Sequence, residues 1–197
     1  MLLAYCFGLL AAGQASAGAA SARHRAAKRS TETVQLYAYG TGITASSIYV
    51  GLDNLAYIVS DDALTNMTGL TWTIDTTGTD AWTVQANTTT TTNATSTLTS
   101  GSTFYVVTSE DAFEQAGFVS SASDAPTGAV TTGFVTYGSY VMLLEEDATS
   151  SHQLYVSEFW ATNSSVSGVW ALMWNEAGTT QDNSVPVTLR IKAPVTD

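Results

Sequence analysis

The sequence predicts an all-β domain, a sandwich of two antiparallel sheets, and three observations support this class. About ten or eleven short segments show the period-two alternation or the apolar runs of β-strands. Gly, Asn, Asp and Ser fill the connections between these segments. No segment has the length and 3.6-residue period of the helices that link parallel strands. A closed β-barrel is the alternative architecture, with at most one short helix.

The strand signals follow one another from residue 34 to residue 191. Gly51-Leu52-Asp53-Asn54 lies between two apolar runs and has the composition of a hairpin turn. Val187, Leu189 and Ile191 share one face of the last strand, and Pro186 favours a position at its start or on a sheet edge. The predicted strands cover residues 34–39, 48–50, 55–59, 71–75, 82–85, 104–107, 133–137, 140–144, 153–160, 169–174 and 185–191.

One helix of a turn or two is predicted at residues 112–116. Asp111 and Glu114 have the spacing of a capping box, and Gly117 follows where a helix would end.

The N-terminus reads as a targeting segment rather than as part of the fold. Residues 2–12 are nearly all apolar, and Ala15-Ser16-Ala17 matches a cleavage site, so residues 1–17 are predicted to be a secretory signal peptide. A buried N-terminal helix is the alternative. Residues 18–29 are small and basic and end in the dibasic pair Lys28-Arg29, which predicts a processed pro-segment or a plain basic linker. Residues 30–197 then form a single β domain.

The charge of this domain excludes several partners. Only Arg190 and Lys192 are basic beyond residue 29, against 17 acidic residues, which gives a net charge of −15. Nucleic acid binding requires basic side chains that displace phosphate counterions. Binding to an anionic membrane surface requires them as well. Neither partner is therefore predicted.

Cysteine and histidine chemistry is equally restricted. Cys6 lies in the signal peptide, so the domain has no internal disulfide. His152 is the one histidine beyond residue 29, which is too few for a structural zinc site, and no Gly-x-Ser-x-Gly elbow accompanies it. Acidic turns leave calcium open, but no EF-hand loop is present. No metal or cofactor is predicted.

Four Asn-x-Ser/Thr acceptors indicate an N-glycosylated secreted protein. The segment that follows the second of them is dominated by Thr and Ser, which favours an exposed loop, an edge hairpin or a Thr-rich outer strand. The acceptors are Asn66, Asn87, Asn93 and Asn163.

Two segments carry a resemblance to a known group. Leu36-Tyr37-Ala38-Tyr39-Gly40-Thr41-Gly42-Ile43 opens the domain, and Gly168-Val169-Trp170-Ala171-Leu172-Met173-Trp174-Asn175, with Pro186-Val187-Thr188-Leu189-Arg190 and Ala193-Pro194, closes it. Together they resemble small, cysteine-free secreted proteins of filamentous fungi. The resemblance implies a fungal source and an extracellular or cell-wall location. It assigns no activity and no site residue.

The aromatic residues and one acid are the candidate binding residues. Exposed Trp and Tyr rings stack on sugar faces, and Tyr37, Tyr39, Trp82 and Trp160 are the predicted outward set, although each Trp can equally fill the core. Glu158 shares a strand face with apolar residues, as a general acid with a raised pKa would, unless a bulge after residue 156 turns it outward.

These observations give three functional hypotheses. The first is a non-catalytic secreted or cell-wall glycoprotein with a structural or surface-interaction role, whose partners are wall polysaccharide or extracellular proteins. The second is a carbohydrate-binding module or lectin that uses exposed aromatic rings. The third is a glycoside-active enzyme that pairs Glu158 with a second carboxyl group. The sequence does not predict an oligomeric state.

Overall fold

The computed structural model describes residues 31–60, 67–87, 98–146, 150 and 152–193. The predicted signal peptide and basic segment, and the acceptors Asn66 and Asn93, lie outside these residues. The described residues form 16 strands and one turn of 3-10 helix at Ala122–Asp124, so the all-β prediction is confirmed. The strands are β1 (Thr31–Val34), β2 (Tyr37–Gly40), β3 (Ile43–Val50), β4 (Ala56–Val59), β5 (Thr68–Asp75), β6 (Thr83–Ala86), β7 (Ser102–Val107), β8 (Phe113–Gln115), β9 (Gly117–Val119), β10 (Ala129–Val130), β11 (Phe134–Tyr137), β12 (Tyr140–Glu146), β13 (Gln153–Val156), β14 (Phe159–Asn163), β15 (Val169–Asn175) and β16 (Ser184–Arg190).

Six of these strands close into an antiparallel barrel. The ring runs β3-β4-β15-β14-β16-β2 and returns to β3. This ring is the closed barrel that the sequence left as the alternative to two open sheets, and the remaining strands lie outside it. Closure pairs both edges of every strand in the ring, so the ring itself presents no free edge.

Buried apolar side chains fill the inside of the barrel among the described residues. Its inward residues are apolar, and many are small, as the narrow interior of a six-strand ring requires. Ala38 on β2, Ile48 on β3 and Leu172 on β15 are all buried. In the walls, Ala38 lies opposite Leu189 and Leu172 lies opposite Ala161, so small and large residues alternate across the strands.

A second sheet extends from the barrel. Strand β5 continues from β3 through the pair Val50 and Thr68, and it also pairs with β1 and β6. Strand β6 is followed by β7, which pairs with β9 and β10. The inner face of this sheet joins the same hydrophobic cluster as the barrel.

Aromatic rings connect this second sheet to strand β11. Trp72 on β5 meets Phe104 on β7 edge to face at 5.1 Å between ring centroids. Phe104 in turn lies 5.0 Å from Phe134 on β11. Such ring pairs add about 0.5–1.5 kcal/mol each to the stabilisation that burial provides.

The predicted hairpin turn is confirmed, and two predicted strands are divided. The turn at residues 51–54 joins β3 to β4, with Val50 opposite Ala56. The segment predicted at 34–39 separates into β1 and β2, which pair with different neighbours. The segment predicted at 153–160 is likewise interrupted, at Ser157 and Glu158. Closing the barrel directs each half to a different partner strand.

The helix predicted at residues 112–116 is wrong. Residues Phe113–Gln115 form strand β8, which pairs with β15. Asp111, expected to cap the helix, has a φ of 61°, in the left-handed region. The ladder of hydrogen bonds to β15 outweighs the weak local preference of five residues for a helix.

A tight turn at residues 75–80, the Asp75 turn, supports the outer face of β11 and β12. Gly78 has a φ of 77°, and its carbonyl oxygen accepts a hydrogen bond from the N–H of Gly133. A Cβ atom at residue 78 would lie 2.8 Å from a methyl carbon of Val135 and 3.2 Å from one of Leu144. Glycine therefore lets this turn lie directly on the β11–β12 hairpin.

Candidate functional site

A line of aromatic and cationic side chains crosses the outside of the molecule. Strand pairing places Tyr37 (β2) opposite Arg190 (β16), Arg190 opposite Tyr140 (β12), and Tyr140 opposite Tyr137 (β11). Residues paired in this way on adjacent strands project from the same face of the sheet. These four residues, the aromatic row, therefore run perpendicular to the strands over about 14 Å, which is three strand spacings.

Arg190 holds the centre of the aromatic row. Its guanidinium carbon lies 4.4 Å from the ring centre of Tyr140 and 5.0 Å from that of Tyr39. Its terminal nitrogen donates a hydrogen bond of 2.8 Å to the Tyr140 hydroxyl. Among the described residues, Nε of Arg190 is buried without a hydrogen-bond partner. The cation therefore fixes two rings in place, and it brings a positive charge to a strongly acidic domain.

The far end of the aromatic row is open to solvent. Tyr137 is 66% exposed and Tyr140 is 36% exposed. Tyr155 on β13, which is 56% exposed, lies 5.8 Å from Tyr137 between ring centroids, so it extends the row by one ring. Large exposed rings that cluster on one face distinguish a binding surface from scattered surface residues.

Of the residues predicted from sequence, the structure places two at this surface. Tyr37 belongs to the aromatic row, and Tyr39 contacts Arg190; both are half-buried. Trp160 lies on the same outer wall but at the level of Pro186, four residues from Arg190 along β16 or about 13 Å away. The Trp160 ring meets Phe113 edge to face at 6.4 Å.

The expectation that Trp82 projects outward is corrected by the structure. Its ring is 0% exposed, and it packs against Phe134 in the core at 5.8 Å. Its indole N–H donates to the backbone oxygen of Asp75 at 2.9 Å. Trp82 therefore anchors the Asp75 turn from inside and offers no surface to a ligand.

Glu158 lies in a group of three acids, the acidic cluster of Glu145, Glu158 and Glu176. Burial raises the pKa of the Glu145 carboxyl, and the negative charges of Glu176 and Glu158 raise it further. Glu176 accepts a 2.8 Å hydrogen bond from the Trp174 indole. A cavity of about 300 Å³ is lined by Glu145, Glu146 and Glu176. Carboxyl groups that lie close together, one of them with a raised pKa, are the arrangement that general acid–base chemistry uses.

Two glycan acceptors fall within the described residues. Asn163 is exposed at the end of β14, immediately before a turn, where a sugar chain can be accommodated. Asn87 is half-buried at the end of β6, and its N–H donates to the carbonyl of Gly69.

Sequence reasoning missed four contributors to this surface: Tyr137, Tyr140, Tyr155 and Arg190. The two-residue turn between Tyr137 and Tyr140 would have been enough to predict that these two tyrosines lie opposite each other. The alignment of Arg190 with Tyr37 and Tyr140 depends on barrel closure, which local patterns do not encode.

Two kinds of feature can be assessed in the described part of the chain, metal-ligand groups and membrane-spanning helices. No three His, Cys, Asp or Glu side chains there are grouped to hold a metal ion. No helix within those residues is long and apolar enough to cross a membrane. No family model, curated protein or solved structure matches this chain.

Proposed function

We propose that this protein is a secreted, non-catalytic glycoprotein of the cell surface or cell wall that acts by binding extracellular polysaccharide. The observation that carries the proposal is the aromatic row, in which strand register aligns three tyrosines with an arginine on one outer face. The secretory leader and the glycan acceptors predicted from the sequence support the location.

The chemistry of the aromatic row matches that of a sugar chain. The C–H faces of a pyranose ring are weakly electropositive and stack on the electron-rich faces of tyrosine rings. Tyrosine hydroxyls and guanidinium N–H groups hydrogen-bond to sugar hydroxyls. The strands hold these groups rigidly, so binding costs little conformational entropy.

Arg190 also makes this surface less negative than the rest of the domain. The two cations beyond residue 29, Arg190 and Lys192, both lie at this end of β16, whereas the rest of the domain is acidic. The Tyr39 hydroxyl donates a hydrogen bond to the backbone oxygen of Lys192, which ties this segment to the row. The negative potential of the domain is therefore weakest at this end of β16.

The test is retention of the secreted protein on insoluble chitin, β-glucan, cellulose and mannan. We expect retention on at least one polymer, and a loss of roughly 2- to 10-fold in affinity for each of Tyr137→Ala and Tyr140→Ala. Leu52→Ala, which removes another exposed side chain at the turn between β3 and β4, is the matched control. Absence of retention from a folded sample, or equal retention by all variants, would refute the proposal. Loss on Trp160→Ala alone would move the binding surface elsewhere on the barrel.

Glycoside hydrolysis is a second candidate function, which the acidic cluster favours. Glu145 would donate a proton to the leaving group, and Glu158 or Glu176 would act as the carboxylate partner. Release of reducing sugar from soluble glucans and chitin oligomers would support it, provided that Glu145→Gln abolishes the release and the control Glu32→Gln, at an exposed residue outside this cavity, does not. Equal rates in both variants, or no release at all, would exclude it.

A further inference from the structure

A second concave surface, the Tyr105 groove, lies beside strands β7 and β8, on elements that carry none of the aromatic row. It has a volume of about 570 Å³, within the range of sites that hold small organic ligands. Its apolar lining includes Leu55, Tyr105, Val107 and Pro126.

The position of Tyr105 in this groove is fixed by the strand opposite. Tyr105 on β7 pairs with Gly117 on β9. A Cβ atom at residue 117 would lie 2.7 Å from the Tyr105 hydroxyl oxygen and 2.9 Å from the adjoining ring carbon. The ring therefore lies directly over glycine backbone, and its remaining surface contributes to the groove.

The charges around the Tyr105 groove are all negative. Glu110 and Glu114 line it, and both side chains belong to exposed residues. Its lining contains no Lys, Arg or His. Burial raises the pKa of the Tyr105 hydroxyl, and the charges of Asp53 and Glu114 raise it further, so both carboxylates act at this ring. The Asp53 carboxylate is itself held by the Tyr57 hydroxyl at 2.7 Å and the Leu55 N–H at 3.1 Å.

We propose that the Tyr105 groove binds a small organic ammonium ion, in which an alkyl or aryl body carries one positive charge. The apolar body would occupy the surface between Leu55, Tyr105 and Val107. The ammonium group would lie between the carboxylates of Glu110 and Glu114. Charge complementarity selects this class, because an ammonium ion adds an attraction to the two carboxylates that line the groove, a neutral ligand adds none and an anionic ligand is repelled.

The experiment is a titration of the ¹⁵N-labelled secreted protein with three probes of one size: n-hexylammonium, n-hexanol and hexanoate. We expect hexylammonium to shift the amide signals of residues around Tyr105 and Val107. We also expect it to bind about 5- to 10-fold more tightly than hexanol, the effect of two partly exposed charge pairs. Hexanoate should produce no saturable shift.

A pair of double variants separates a local site from general surface charge. Glu110→Gln with Glu114→Gln should reduce hexylammonium affinity about 5- to 10-fold and leave hexanol unchanged. Glu32→Gln with Asp182→Asn alters the net charge equally at exposed sites outside the groove and should change neither. Equal binding of hexylammonium and hexanol, shifts elsewhere on the protein, or equal losses in both double variants would overturn the proposal.

Discussion

Replacement of Asp75 by Asn tests how the structure holds the turn that lies on the β11–β12 hairpin. The Asp75 side chain is 2% exposed and ionised, and hydrogen bonds surround it. Its Oδ2 accepts from the N–H groups of Thr79 and Asp80, each at 2.9 Å. Its Oδ1 accepts from the N–H of Thr77 at 3.1 Å, and the Thr77 and Thr79 hydroxyls add further bonds.

The magnitude follows from these bonds. Burial alone raises the pKa of Asp75, but the hydrogen bonds from Asp80, Thr77 and Thr79 outweigh burial and hold this pKa well below its usual range. Asn replaces one acceptor oxygen with a donor, so at least one backbone N–H loses its partner and the other bonds lose their charge. A hydrogen bond to a charged group contributes about 1.5–3 kcal/mol, so we expect Asp75→Asn to lower the free energy of unfolding by about 3 kcal/mol at pH 7.

The pH dependence of the unfolding free energy provides a second, independent test of this prediction. Because the pKa of Asp75 is lower in the folded state, its stabilisation is fully present above the unfolded value of about 3.9 and decreases as the pH falls toward the folded value. At pH 3 the wild-type protein should have lost about 1 kcal/mol of this term, whereas the Asn variant has none to lose. The difference between the two proteins should therefore shrink by that amount.

Urea unfolding followed by tryptophan fluorescence at pH 7 and pH 3 measures both quantities. Asp182→Asn, which neutralises an exposed acid, is the control and should shift the unfolding free energy by less than about 0.5 kcal/mol. A loss below about 1 kcal/mol for Asp75→Asn at pH 7, or a loss that is the same at both pH values, would contradict the assignment of an ionised, hydrogen-bonded Asp75.

Three further predictions concern the core, the acidic cluster and the Tyr105 groove. Trp82→Phe should lower the unfolding free energy by about 2–3 kcal/mol, because the bond to the Asp75 carbonyl is lost and a cavity forms, yet polysaccharide retention by the folded protein should not change. Because the pKa of Glu145 is raised in the folded state, the wild-type protein loses stability as the pH rises past the unfolded pKa of about 4.3. In urea unfolding, Glu145→Gln should therefore be about 0.5 kcal/mol more stable than the wild-type protein at pH 7 and equally stable at pH 3. Gly117→Ala should push Tyr105 into its groove, reduce the unfolding free energy by about 1–2 kcal/mol and weaken hexylammonium binding in the same titration.

The strands and tight turns could be predicted because their signals are local. Alternation along β16 identifies Val187 and Leu189 as inward residues, and both are buried. The apolar run at residues 104–107 predicts a central strand, and β7 has partners on both sides. The composition of residues 51–54 identifies the turn that joins β3 to β4. In each case, neighbouring residues along the chain carry the information.

The errors have a common physical origin in long-range pairing. Residues 112–116 have a weak helical signal, but they lie beside the end of β15 that extends past β4, where backbone groups need partners. Trp82 belongs to an alternating segment that gives no indication of which face is covered; the Asp75 turn and Phe134 cover it. Neither outcome can be read from a window of ten residues, because β15 and Phe134 are distant in sequence from the segments that they cover.

Closure of the barrel contributes to both proposed binding surfaces, but through different strands. The aromatic row exists because Arg190 on β16 lies between Tyr37 on β2 and Tyr140 on β12, so a one-residue slip of β16 would turn the guanidinium into the core. The Tyr105 groove lies along β7, outside the ring, and Glu114 of β8, which pairs with β15 of the ring, completes it. One hydrophobic cluster also fills both the barrel and the outer sheet, so a destabilised barrel should lose polysaccharide retention and ammonium binding together. Loss of polysaccharide retention well before ammonium binding would mean that the sheet and the barrel unfold as separate units.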